Sequence, residues 1–86
     1  MTLENLRAEI DAVDDEIALL LTRRMALAAQ IAAVKRETGG AILQPDREKA
    51  ILERLGAQFD EQYRPALQAI YEAIFRASRE LQEGVV

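Results

Sequence analysis

The chain reads as an all-α protein: three helices, the first very long, in an intertwined homodimeric bundle. Three observations carry that reading. Ala and Leu dominate, with Glu and Arg between them, and only four of the 86 residues are aromatic. Apolar residues recur at Leu3, Leu6, Ile10, Val13, Ile17 and Leu20, then at Leu27, Ile31 and Val34, a three–four spacing that belongs to a helix. That pattern meets no stop signal before Gly39-Gly40.

The first helix starts at Thr2, an N-cap with Asn5 three residues on, and Glu4 favours the positive end of the dipole. About 36 residues span ~54 Å at the standard rise. A compact chain of this size has a radius of gyration of only about 12 Å, hence a diameter near ~31 Å. The helix overshoots its own domain, so its far half needs a second chain, and two long helices are expected to pack together. A polar loop follows over 38–44. Pro45 then takes a first-turn position, with Asp46 and Glu48 at the positive end and Gly56 closing the second helix. The third helix begins after Asp60 or at Pro65 and ends near Glu83-Gly84. Its seam is Leu67, Ile70, Tyr71, Ile74, Ser78, then Leu81 with Gln82. Residues 1–86 make one domain.

Composition removes several function classes. There is no cysteine and no histidine, so no thiolate metal site and no imidazole base; no metal or cofactor is expected. Net charge is −4, which argues against a nucleic-acid binder. No apolar run approaches the roughly 20 residues of a membrane span, and the N-terminus lacks a signal core. The expectation is a soluble cytoplasmic protein without a membrane partner.

The informative residues are polar ones on inward faces. The apolar spacing assigns position 24 to the seam, and it holds an arginine. Lys35, eleven residues on, projects from nearly the same side, ~16 Å away. Arg7 lies beside the seam near the other end. Arg47 and Glu48 lead the rows of the second helix, and Ser78 and Gln82 stack on one face of the third. Each has a bland reading: snorkelling for Arg7 or Lys35, register-setting for Arg24, packing for Ser78, a frayed end for Gln82, a solvated helix start for Arg47-Glu48. Together they are harder to dismiss. Buried unpaired cations cost several kcal/mol each, and the seam offers only Asp14 and Glu48 against them. A multiply anionic ligand would compensate, and arginine's planar fork suits carboxylates. With no evident nucleophile and base, no Gly-rich phosphate loop and no metal-ligand spacing, positioning and electrostatics remain. A unimolecular rearrangement needs nothing more.

Over essentially its whole length the sequence resembles the all-helical (AroQ-type) chorismate mutases. The residues that carry the resemblance are "LRAEIDAVDDEIALLLTRR", "AAVK" ending at Lys35, "PDREKAILERL" and "SRELQ", in that order. The resemblance implies an interlocked dimer of three-helix chains and the Claisen rearrangement of chorismate to prephenate. It implies that Arg24 clamps one substrate carboxylate and that Arg7 clamps the other from the partner chain, so that two sites are shared. Lys35 and Gln82 would donate to the ether oxygen, Glu48 would accept from the ring hydroxyl, and Ser78 would help hold a carboxylate. Arg47 would order its neighbours. Gln44 stands where some relatives have Asp, beside the ring hydroxyl, and would bind by side chain or by backbone. Gln82 donates at any pH, whereas a Glu there would have to be protonated. Little change in turnover between about pH 5 and 9 is therefore expected. Two rivals stay open: an isochorismate-pyruvate lyase of the same fold, and a non-catalytic helical dimerisation or regulatory module. A stand-alone enzyme and one domain of a bifunctional protein are equally open.

Overall fold

A computed structural model describes residues 1–84. The described residues form three α-helices and one short turn: α1 (Leu3–Thr38), α2 (Pro45–Gly56), a 3-10 turn (Glu61–Tyr63) and α3 (Arg64–Gln82). The local signals act as the sequence suggests. The Thr2 hydroxyl accepts from the Asn5 N–H at 3.1 Å. Gly39 stops α1 in the left-handed region at φ 75°, a conformation without penalty only for glycine. The third helix begins at Arg64, one residue before Pro65, and the start after Asp60 is that of a separate 3-10 turn. Asp60 caps the 3-10 turn through Gln62 N–H, and Pro65 sits in the first turn of α3.

The longest dimension is 54 Å, which is α1 itself, and the radius of gyration of 15.8 Å exceeds that of a compact chain. α3 packs against both α1 and α2, while α1 and α2 do not pack on each other. A gap is therefore left between them, with α3 as its floor.

The core corrects part of the expected seam. Leu3, Leu6, Ile10, Val13, Ile17, Leu20, Leu27, Ile31 and Val34 are all exposed within the single chain. The side of α1 turned to α3 is one residue further round: half-buried Leu21 and Met25, then buried Ala28 and Ala32. Alanine lets the two backbones approach, and the leucine stripe points elsewhere. On α3, Ile70 is exposed, whereas Phe75, absent from the expected seam, is 4% exposed and buried with Ser78 and Gln82. An aromatic chain of Phe59, Tyr71 and Phe75, with centroids 6.4 and 5.9 Å apart, joins the loop after α2 to the floor.

α1 also contains an 18-residue window of mean hydropathy 1.5, so by length and composition it could cross a membrane. The expectation that no segment reaches that threshold fails. Yet Arg23 and Arg24 lie near its middle, where each would cost about 2.5–3.5 kcal/mol in a bilayer.

Candidate active site

The gap between α1 and α2 is a cleft of about 450 Å³, within the usual size of a small-ligand site. α1 supplies Arg24 and Lys35 to it, the loop supplies Gln44, α2 supplies Arg47 and Glu48, and α3 supplies Ser78, Arg79 and Gln82. Leu27 and Ile31, from the uncovered stripe of α1, border the same space, with Ile51 and Phe75 as its apolar lining. Seven of the eight residues singled out from the sequence meet here. Arg7 does not: it borders a separate shallow surface with Leu3, Glu4, Ala8 and Asp11. It stands 17 residues before Arg24, ~26 Å away along the same rigid helix.

Each side chain has a local reason for its place. Arg24 sits at the border between the α3-facing side of α1 and the bare stripe. Its Nη1 donates to Ser78 Oγ at 2.8 Å, and its guanidinium carbon lies 5.6 Å from the centre of the Phe75 ring. That cation–π contact fixes the plane of the fork without neutralising it. Ser78, 7% exposed, also lies 3.9 Å from Met25 Sδ.

Gln82 is buried at 9% exposure, and its Nε2 donates to the Ala28 carbonyl at 3.0 Å. A helical carbonyl has a second lone pair free for such a bond. The contact also settles the amide orientation, because only the NH₂ end can face that oxygen. One N–H is used on Ala28 and one remains for the cleft.

Lys35 is half-buried in the last turn of α1. The Gly39 and Gly40 N–H groups both donate to its carbonyl, so the helix ends directly behind it. A Cβ on Gly40 would lie 3.3 Å from Lys35 Cγ, so glycine leaves room for the lysine stem.

Gln44 is the N-cap residue of α2, but its side chain makes no cap bond; Nε2 donates to the Ala41 carbonyl at 3.1 Å instead. Its amide nitrogen thus braces the loop.

Glu48 is the only acid lining the cleft among the described residues, and its Oε2 accepts from Arg79 Nη1. This is the one ion pair among the described residues. Asp14, the other acid weighed from the sequence, is exposed on the upstream half of α1. Arg24, Lys35 and Arg47 therefore face the cleft with no carboxylate partner among the described residues. The arrangement is a concave, cationic, apolar-walled space with one carboxylate among the described residues and a spare amide donor on Gln82. Chemically it can grip a small dianion, hold its shape, and put donors where negative charge develops.

Two contributors were not legible in advance. Phe75 looked like one more apolar residue of α3, and nothing in its spacing reveals that Arg24 lies over it. Arg79 was hidden between Ser78 and Gln82; the available signal was a basic residue in the last turn of one helix and an acid in the first turn of another.

Fold and site together define a class: a helical-bundle protein with a dianion-sized cleft that is open along an uncovered helix face. Comparison with known proteins narrows it. The family model described as chorismate mutase type II matches residues 6–83, and the chain belongs to that family. Among solved structures it is similar to a chorismate mutase from Helicobacter pylori in complex with prephenate. The identity is 44% and the TM-score 0.83, with 95% of this chain and 90% of that one covered. It is 35% identical to a bifunctional chorismate mutase/prephenate dehydratase from Aquifex aeolicus, over 96% of this chain but 24% of that protein. It is 38% identical to a chorismate mutase from Methanocaldococcus jannaschii, over 62% of this chain and 54% of that one. The chain thus spans about a quarter to a half of the length of these two curated relatives.

Proposed function

We propose that the chain is a chorismate mutase that rearranges chorismate to prephenate inside this cleft, as a single domain over residues 1–86. One observation carries the reading: Arg24, Lys35 and Arg47 are gathered unpaired in one space with Ser78 and the spare N–H of Gln82. Family membership and the likeness to the prephenate-bound Helicobacter pylori protein support it.

The geometry supports catalysis by positioning and electrostatics. Chorismate carries two carboxylates. Arg24, held flat by Phe75 and Ser78, takes one of them. Closing the flexible enolpyruvyl chain over the ring brings the two reacting carbons together, which is where restraint lowers the barrier. As the ether C–O bond breaks, its oxygen gains negative charge. Lys35 and Gln82 donate to that oxygen, strengthening as the charge grows. Glu48 accepts from the ring hydroxyl through the oxygen that Arg79 leaves free. Gln44 lies at that end of the site; with one amide N–H on the Ala41 carbonyl, it keeps a second N–H and Oε1 to meet the ring hydroxyl.

The second carboxylate is met by Arg7 of a second copy of this chain. Two features support a homodimer with shared sites: the stripe from Leu3 to Val34 is bare in one chain, and Arg7 is too far along a rigid helix to reach its own cleft. A stripe buried in such a dimer supports a cytoplasmic protein over a membrane-spanning one.

The test is loss of chorismate absorbance with purified protein, repeated with Lys35→Ala. Removing a transition-state donor lowers kcat by about 10²–10³. Turnover unchanged in Lys35→Ala would defeat the mechanism. Release of pyruvate from isochorismate, with no loss of chorismate, would favour the lyase reaction instead.

A further inference from the structure

We propose that Arg79 is a positioning residue for the cleft's one carboxylate, and that it sets the site's preference for a hydroxylated dianion. The inference rests on the mutase reading and goes beyond it. Its basis is a conflict of charge. A cleft that binds a dicarboxylate should exclude acids, yet Glu48 lines it. Like charges inside a partly desolvated space repel strongly. Arg79 removes the conflict by holding Oε2 of Glu48. The pair is neutral as a unit, and Oε1 remains as an acceptor whose direction is fixed.

The two helices favour this arrangement. Glu48 lies in the first turn of α2 and Arg79 in the last turn of α3, each at the helix end whose dipole suits its charge. Both side chains are only about a quarter exposed, at 25% and 28%, so the pair is partly shielded from solvent. Arg79 also sits in sequence between Ser78 and Gln82, which face the same cleft. A shift of Glu48 would therefore be felt across the floor.

A double-mutant cycle in the full chain tests this, using Arg79→Gln, Glu48→Gln and the two combined. The readouts are KM and kcat for chorismate, prephenate binding by titration, and thermal unfolding. Arg79→Gln leaves a bare carboxylate facing the dianion, so KM and the prephenate Kd rise about tenfold, with kcat changed less. The double variant binds the dianion more tightly than Arg79→Gln alone, because the repelling charge has gone. Arg79→Lys, which keeps the charge but loses the planar fork, falls between wild type and Arg79→Gln. It decides the matter if Arg79→Gln does not fold; wild-type KM in Arg79→Lys would then overturn the proposal. Effects that simply multiply would mean that Arg79 grips the ligand itself, and would overturn it. So would a lowered unfolding temperature with KM unchanged, the mark of a purely structural tie. Wild-type turnover judges the mutase reading separately. If it is absent, the same cycle is read in prephenate binding; no prephenate binding by wild type would sink both.

Discussion

The two halves of α1 are one continuous helix, yet they do different work. Every residue from Leu3 to Leu20 is exposed in the single chain, although Leu6, Ile10, Val13 and Ile17 repeat as regularly as any core. From Leu21 onward the same helix gains a second surface: Ala28 and Ala32 are buried against α3, and Arg24 and Lys35 look into the cleft. One half carries an apolar stripe with nothing on it. The other carries that stripe and, beside it, an in-chain contact. Arg24 and Lys35 stand on the border between those two surfaces. A charged residue there is at the rim of the cleft rather than in the middle of a dry seam, which resolves why position 24 is not leucine.

The sharpest way to break the comparison is to charge the bare half. Val13→Lys puts an ammonium into the proposed dimer seam, where its desolvation costs several kcal/mol. The expected outcome is loss of the dimer by sedimentation and loss of all chorismate turnover, although Val13 lies far from the cleft. A fully active monomer would end the shared-site reading.

A smaller change separates assembly from chemistry. Arg7→Ala and Lys35→Ala should each leave the dimer intact and cut kcat/KM by about a hundredfold or more. Mixed, unfolded and refolded together, they should recover about a quarter of wild-type activity, since half the dimers would hold one intact site of two. No recovery would place Arg7 outside the site.

Gln82→Glu probes the inner half alone. Burial disfavours the ionised acid, so its pKa rises and the side chain donates only once protonated. Activity near neutral pH should fall by about 10²-fold and climb as pH drops through that raised pKa. Recovery stays incomplete, because a carboxylic acid has one proton to offer both the Ala28 carbonyl and the ligand. A flat pH–rate profile would contradict the donor role.

Phe75→Leu should do least. It removes the ring under Arg24 while keeping most of the volume. A cation–π contact of about 0.5–2 kcal/mol corresponds to a few-fold to roughly thirtyfold loss in kcat/KM. The loss should appear mainly in KM; an unchanged KM would show that Ser78 alone orients Arg24.

Much of this molecule is legible in its sequence. The length of α1, its Thr2 cap, its stop at Gly39 and the proline starts are set by neighbours within a few residues, and such signals survive in sequence. Most candidate site residues were legible for a different reason: they interrupt or border an apolar pattern, and a polar group on an inward face needs a cause, whereas Gln44, in the loop, is marked only by the family resemblance. The same logic missed Phe75, because an aromatic on an apolar face breaks no pattern. It missed Arg79 as well, whose meaning depends on Glu48, 31 residues away on another helix.

The sequence by itself determined three helices, their ends, and a set of inward-facing cations with few acids on the same faces to neutralise them. It also determined that the longest helix outruns its own domain, since helix length follows from local hydrogen bonding and the absence of a breaker. Only the tertiary structure decided which side of α1 meets α3, that alanines rather than leucines make that contact, and that Arg79 claims the one acid in the cleft. Those choices depend on how closely two helix surfaces fit and on which charges end up adjacent, and neither is encoded by periodicity along a single helix.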